Sequence, residues 1–97
     1  MKVMISQPMN GKTEEQIREE RAELVKELEG KGYEVVDTVF AKNPPEDADM
    51  GMFYLAMSIN AMSYVDGVVF MQGWENARGC VAEEYIARKY NKFCKYL

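Results

Sequence analysis

The sequence predicts a single α/β domain over residues 1–97, with about four parallel strands and helices on both faces. Short apolar runs alternate with longer segments of helical period, in the order βαβαβαβ. Right-handed crossovers leave that order few arrangements other than an open parallel sheet, flavodoxin-like or Rossmann-like in type. A glycine-bearing loop, Gly73 to Gly79, joins an apolar strand to a helix start, which is where open α/β sheets place their ligands.

Lys2-Val3-Met4-Ile5-Ser6 reads as the first strand, followed by a loop from Gln7 to Lys12. Thr13 then caps a helix, and Gln16 completes a capping box. Ile17, Leu24, Val25 and Leu28 supply its buried stripe, the remaining Glu, Lys and Arg reading as a solvated face. Gly30 and Gly32 end it. Tyr33-Glu34-Val35-Val36-Asp37 is the second strand, with Asp37 and Thr38 at its C-terminal end. Residues 41–49 form a polar loop with Pro44-Pro45, placed to act as a lid over that rim, and Asp49 caps the next helix.

That helix, 50–64, has little polar surface beyond Ser58, Asn60 and Ser63. It reads either as a buried, Met-rich filler or as a subunit interface, because a chain this short has trouble covering it. The second reading predicts a homodimer or higher homo-oligomer. Gly67-Val68-Val69-Phe70-Met71 is the third strand, the helix bearing Glu83 runs to about Tyr90, and Lys92 to Tyr96 is the last strand.

Composition narrows the function classes. The chain is 47% hydrophobic and 29% charged with a net charge of −4, which disfavours a groove for nucleic-acid polymers. No run reaches the roughly 18 apolar residues of a membrane span. The N-terminus enters a strand almost at once, without a signal peptide, so a cytoplasmic protein is expected. Cys80 and Cys94 lack metal-ligand spacing and read as packing residues in a reducing compartment. With no histidine, any catalysis must rest on carboxylates, hydroxyls, amides and main chain. No metal and no cofactor are expected.

The predicted rim gathers the Ser6–Lys12 loop, Asp37–Thr38 and Gln72–Gly79, with Glu83 projecting back toward them. Glu83 falls among Cys80, Ile86, Ala87 and Tyr90, an apolar stripe, whereas Glu84 has Arg88 four residues on as an ordinary helix partner. An inward carboxylate without a partner is costly unless it binds something or has work to do. Asn10-Gly11-Lys12-Thr13 hints at a phosphate loop, but Ser6 stands where a P-loop needs its leading glycine. Trp74 and Met9 are placed to sandwich a base, and Arg78 to meet an anion. Gly73 and Gly79 serve backbone geometry and close approach. Asp66, before the third strand, reads as a turn residue far from the rim.

Gly79-x-x-x-Glu83 followed by Ala87 resembles the signature of the nucleoside 2-deoxyribosyltransferase family and of its relatives, the deoxynucleoside 5'-monophosphate N-hydrolases. Pro8-Met9-Asn10-Gly11 and the Gly73-Trp74-Glu75 run before Arg78-Gly79-Cys80 resemble small, phage-type members of that superfamily. The likeness covers most of the chain. It implies that Glu83 is the nucleophile attacking the sugar at C1', and that Ser6, Gln7, Met9, Asn10, Gly11, Asp37, Ser58, Gly73, Trp74, Arg78 and Gly79 line the substrate site. The chain departs from the family pattern at three places. Met4, Ile5 and Ser6 occupy the region of a family tyrosine, Ser58 replaces an aspartate, and Ala77 replaces a serine of phosphate-using relatives.

The expectation is therefore a nucleoside deoxyribosyltransferase-like enzyme or a (deoxy)nucleotide N-glycosidase, with a nucleoside or nucleotide as partner. The alternatives are a binding protein that holds a nucleotide-derived metabolite without turnover, and an interaction protein built on the methionine-rich helix.

Overall fold

In the computed structural model, which describes residues 1–39 and 45–97, the first strand, β1 (Lys2–Ser6), lies inside the sheet. The helix α1 (Glu14–Gly30) leads from it to β2 (Glu34–Val36), and α2 (Met50–Met62) precedes β3 (Gly67–Phe70). A single 3-10 turn at Trp74–Asn76, the helix α3 (Arg78–Lys89) and β4 (Phe93–Tyr96) complete the order. The strands form one sheet in the order β2-β1-β3-β4, and every pairing is parallel. The expected fold class is thus the observed one, and the elements agree with the predicted ones to within two residues at each end.

Strand alternation sorts the core into two layers. Val3, Ile5 and Val69 face Leu24 and Leu28 of α1, while Met4, Val68 and Phe70 face Met62 and Ala87 on the other side. Because side chains in a strand point to opposite faces in turn, each layer receives every second residue of β1. Val3, Met4, Val68, Val69 and Phe70 are each 0% exposed. Burying side chains of this size contributes roughly 1.5–3 kcal/mol apiece, so β1 and β3 carry the main hydrophobic stabilisation.

Local chemistry sets the element ends. The capping box at Thr13 forms as predicted, with Gln16 N–H donating to Thr13 Oγ1 at 3.1 Å and Thr13 N–H to Gln16 Oε1 at 2.9 Å. Asp49 accepts from Met52 N–H at 2.9 Å and starts α2. Asp66 is the predicted structural residue. Its carboxylate accepts from Lys2 N–H at 2.8 Å while its own N–H donates to Lys2 O at 2.7 Å. It fastens the start of β3 to the start of β1, opposite the functional rim.

Four expectations need correction. The α1 outer face is not all solvated, since Arg21 is 4% exposed. It falls on the stripe of Ile17, Leu24 and Leu28, and Gln7 and Thr38 receive its hydrogen bonds. Tyr90 is 74% exposed rather than part of the α3 stripe, because the helix stops at Lys89 and the chain turns through Asn91 at φ 58°. The buried-filler reading of α2 fails, since Met62 is its one fully buried residue. Met50 and Met52 are 62% and 70% exposed. Finally, close approach explains neither rim glycine. A Cβ on Gly73 would come no nearer than 3.8 Å to Pro8, and one on Gly79 would meet nothing within 4 Å. Gly73 is required instead for its φ of 91°. The lid expected over 41–49 falls largely on residues outside the described ones.

Close approach does operate at Gly67, where β3 and β4 meet. A Cβ there would stand 2.7 Å from the Phe93 ring and 2.8 Å from the Phe93 carbonyl oxygen. Gly67→Ala is expected to destabilise the domain by about 1–3 kcal/mol in urea denaturation. Gly30→Ala, at a helical position with nothing within 4 Å, is expected to be neutral or stabilising by up to about 1 kcal/mol.

Candidate functional site

The C-terminal end of β1 divides two side chains between the two layers. Ser6 points to the α3 side and donates its hydroxyl to Glu83 Oε1 at 3.1 Å. Gln7 points to the α1 side and accepts from Arg21 Nε at 2.8 Å. Its amide nitrogen donates to Ile17 O at 3.1 Å and to Glu20 Oε1 at 2.9 Å. Gln7 is therefore fully engaged in holding α1 against the strand. Ser6, 1% exposed, spends its hydroxyl on one carboxylate.

Glu83 lies in the second turn of α3, facing inward as predicted, and is 8% exposed. Burial in this poorly solvated position pushes its carboxyl up to about 7. The Ser6 hydroxyl, the Arg21 charge and the Ser58 hydroxyl each pull the other way and lose. Near neutral pH about half of the molecules therefore carry the charge, despite the position of Glu83 near the start of α3. Among the described residues no cation lies within ion-pair distance of it. Ser58 reaches this carboxylate from α2, so three elements meet there.

The other predicted residues are distributed along the rim. Asp37 accepts from Arg18 Nη1 at 3.2 Å and from Val39 N–H at 2.9 Å. Burial raises its carboxyl, but these bonds and the Arg18 charge outweigh burial and leave it low. Asp37 belongs to the α1 side and is satisfied there. Met9, Asn10 and Gly11 form a tight turn, closed by Lys12 N–H donating to Met9 O at 3.1 Å. Trp74 packs its ring 5.5 Å from both Phe70 and Tyr96, and those two rings stack at 5.4 Å. Arg78 is exposed at the first position of α3 and lies across Gly51, whose Cβ would stand 2.8 Å from Nη2. The structure thus brings Ser6, Ser58 and Glu83 together. Asp37 is engaged with Arg18, Trp74 with Phe70 and Tyr96, and Arg78 with the Gly51 turn. Gly79 has open space at its Cβ position.

Two groups escaped the sequence reading. Glu84 was paired with Arg88, and Arg88 Nε does donate to it at 2.7 Å, but Tyr96 OH also donates at 2.6 Å. That carboxylate holds the Tyr96 hydroxyl well above the ordinary phenol range, and Tyr96 and Arg88 together cover it. Arg21 is the second. Its spacing, four after Ile17 and three before Leu24, was the signal.

Hollows of about 430 Å³ and 330 Å³ lie elsewhere, one against Glu23, Lys26 and Glu27 and one along α2 at Phe53, Ala56, Met57, Asn60 and Ala61. No group of three or more acidic, Cys or His side chains suited to a metal ion occurs among the described residues. No helix among them is long and apolar enough to cross a membrane.

The Glu83 environment has a pH signature. An acid raised from its ordinary 4.5 to about 7 favours the fold while protonated. That contribution is complete below about pH 4.5 and is lost as pH rises through about 7. Glu83→Gln keeps the site neutral at every pH. Its stability advantage over the parent is expected to grow from near zero at about pH 4 to about 3 kcal/mol by about pH 8, read from urea midpoints across that range.

No curated protein and no solved structure matches the chain. The family model for a domain of unknown function, DUF4406, matches residues 1–96, essentially the whole β1-to-β4 unit described above. The chain belongs to that family, DUF4406.

Proposed function

We propose that the protein is an N-glycosyl hydrolase or transferase of nucleoside 2-deoxyribosyltransferase type, acting at C1' of a nucleoside or nucleotide. The observation that carries this reading is Glu83, an inward carboxylate at the β1 end that touches hydroxyls and, among the described residues, no cation. Structural carboxylates in this fold are satisfied differently. Asp37 has Arg18, Glu84 has Arg88 and Tyr96, and Asp66 has a main-chain N–H. Glu83 alone among these four combines burial with a raised proton affinity, the pattern of a reacting group.

The chemistry is double displacement. A Glu83 oxygen forms a bond to C1' as the C1'–N bond breaks, the base taking the bonding pair and a proton. Water or a second base then displaces Glu83 from C1' and releases to solvent a proton that balances the one the departing base took up, regenerating the carboxylate. Ser6 positions the nucleophile from β1, and Ser58 does so from α2, in place of the tyrosine and aspartate of the resembled family.

A second reading, a binder that retains the site without turnover, is favoured by those two replacements. Serine hydroxyls bond a carboxylate but orient it less firmly than a charged or aromatic partner. The two readings separate in one assay, in which the protein is incubated with nucleosides and 5'-monophosphates and free base is measured. The enzyme reading expects release that rises with pH through about 7, as Glu83 ionises. It expects a loss of about 10³-fold or more in Glu83→Ala. Ligand-induced thermal stabilisation without base release supports the binder.

We also infer a subunit interface on α2 and a cytoplasmic setting. Residues 50–65 contain no charged side chain, and two copies carrying a net −4 each repel least where they meet on such a face. Cys80 and Cys94 are unpaired, as a reducing compartment leaves them. Light scattering at micromolar protein is expected to give at least a dimer mass, lowered to the monomer by Met57→Glu in the α2 hollow. A monomer mass for the parent chain removes the interface.

A further inference from the structure

Arg21 is a buried cation without a salt bridge among the described residues. Its side chain is 4% exposed, Nε donates to Gln7 Oε1 at 2.8 Å, and Nη1 donates to Thr38 Oγ1 at 3.3 Å. The third nitrogen, Nη2, is buried and has no hydrogen-bond partner among the described residues. The carboxylates around it are committed elsewhere. Asp37 is held by Arg18, and Glu20 by Lys12 and Gln7. Burying a guanidinium in this way costs stability, and two neutral hydrogen bonds only partly offset the cost. A methionine or leucine would continue the α1 stripe without that penalty.

The position explains what the charge is for. Nη2 has essentially no accessible surface, so Arg21 is not built to touch a ligand. It grips Gln7, and the next residue back along the chain is Ser6, whose hydroxyl holds Glu83. Neighbouring side chains of one strand end thus connect a buried cation in one layer to a buried carboxylate in the other. The connection is both mechanical, through the Ser6-Gln7 main chain, and electrostatic, since the field of a desolvated charge is screened little in the interior.

We propose that Arg21 is a positioning residue for Glu83, which fixes the end of β1 through Gln7 and sets its buried positive charge behind the Ser6–Glu83 contact. The role rests on the reading of Glu83 as the reacting carboxylate. In it, Arg21 supplies the only full charge among the described residues that opposes the burial protonating Glu83. Glu83 is otherwise faced by Ser6 from β1, Ser58 from α2 and Cys80 from its own helix. Cys80 stays a thiol, pushed up first by burial and further by the Glu83 charge. Arg21 is faced by Asp37, which favours its charge, and by Arg18, which opposes it. It remains protonated in this range whatever Glu83 does.

The test is a titration of the Glu83 side-chain carboxyl carbon by NMR in the ligand-free protein, which needs no activity. In Arg21→Met the midpoint is expected to rise by about 1 unit, leaving about a tenth of the sites ionised near neutral pH. Arg21→Lys is expected to restore much of the midpoint. Thr38→Val, which removes a hydrogen bond to Arg21 but no charge, is expected to leave it unchanged within about 0.2 units. An unmoved midpoint in folded Arg21→Met overturns the proposal, as does an equal rise in Arg21→Met and Thr38→Val. If Arg21→Met does not fold, the parent protein decides. The Arg21 guanidinium nitrogen signals must follow the Glu83 midpoint and lose that inflection in Glu83→Gln, and flat signals overturn the role. Absence of base release with a shifted midpoint sinks the glycosidase reading alone: the Arg21–Glu83 coupling is then real but serves no glycosyl transfer.

Discussion

The end of β1 is the constraint on which both layers depend. A strand cannot send neighbouring side chains to the same face, so the last positions of β1 divide their bonding between α3 and α1. Ser6 meets Glu83, and Gln7 meets Arg21 together with Ile17 and Glu20. Because β1 pairs with both β2 and β3, any displacement of this end moves the registers that order the sheet. The polar contacts at the rim are therefore tied to the most deeply buried apolar residues of the domain.

Two carboxylates adjacent in sequence show how environment decides role. Glu84 sits under Tyr96 and Arg88, accepts a hydrogen bond from each, and is held below the ordinary carboxylate range. Glu83, one residue earlier and about 100° away around the helix, is faced by hydroxyls and a thiol and is driven upward by burial. The first contributes to fixing β4, whose Tyr96 also stacks on Phe70. The second contributes nothing to the fold at neutral pH that a neutral isostere would not supply. A group that is costly where it stands and unneeded for structure is the best-supported candidate for chemistry in the described part of the chain.

Most of the architecture was legible because it rests on short-range signals. Thr13 with Gln16, Asp49 before α2, and the apolar runs of β1 and β3 each carry their own instruction, and all three formed as expected. Glu83 was legible by the same periodicity that failed for Tyr90, since the stripe holds only as far as the helix does. Arg21 was missed because its neighbours on the α1 surface are charged, and composition overrode spacing. Glu84 and Tyr96 are 12 residues apart, and Arg21 and Thr38 are 17 apart. Such pairs exist only once the sheet has closed, so no local window could reveal them. Ser58 lay between these cases, because resemblance singled it out while its contact with Glu83 depends on how α2 crosses the sheet.

The raised Glu83 also limits how the site can work. In the proposed double displacement, a nucleophile that is half protonated near pH 7 loses about a factor of two in active molecules, a small cost beside the gain from a poorly solvated carboxylate that reacts without first shedding water. Further burial with no compensating charge would protonate the group fully and end its usefulness as a nucleophile. The domain therefore needs an opposing charge that is close enough to matter and too far to form an ion pair, since a direct salt bridge would occupy the carboxylate and lower its nucleophilicity. A cation in the opposite layer, reached through the strand between them, meets both requirements. Arg21 occupies that place, and on the proposed role its buried nitrogen, unpaired among the described residues, is the structural cost of keeping Glu83 ionisable and uncommitted.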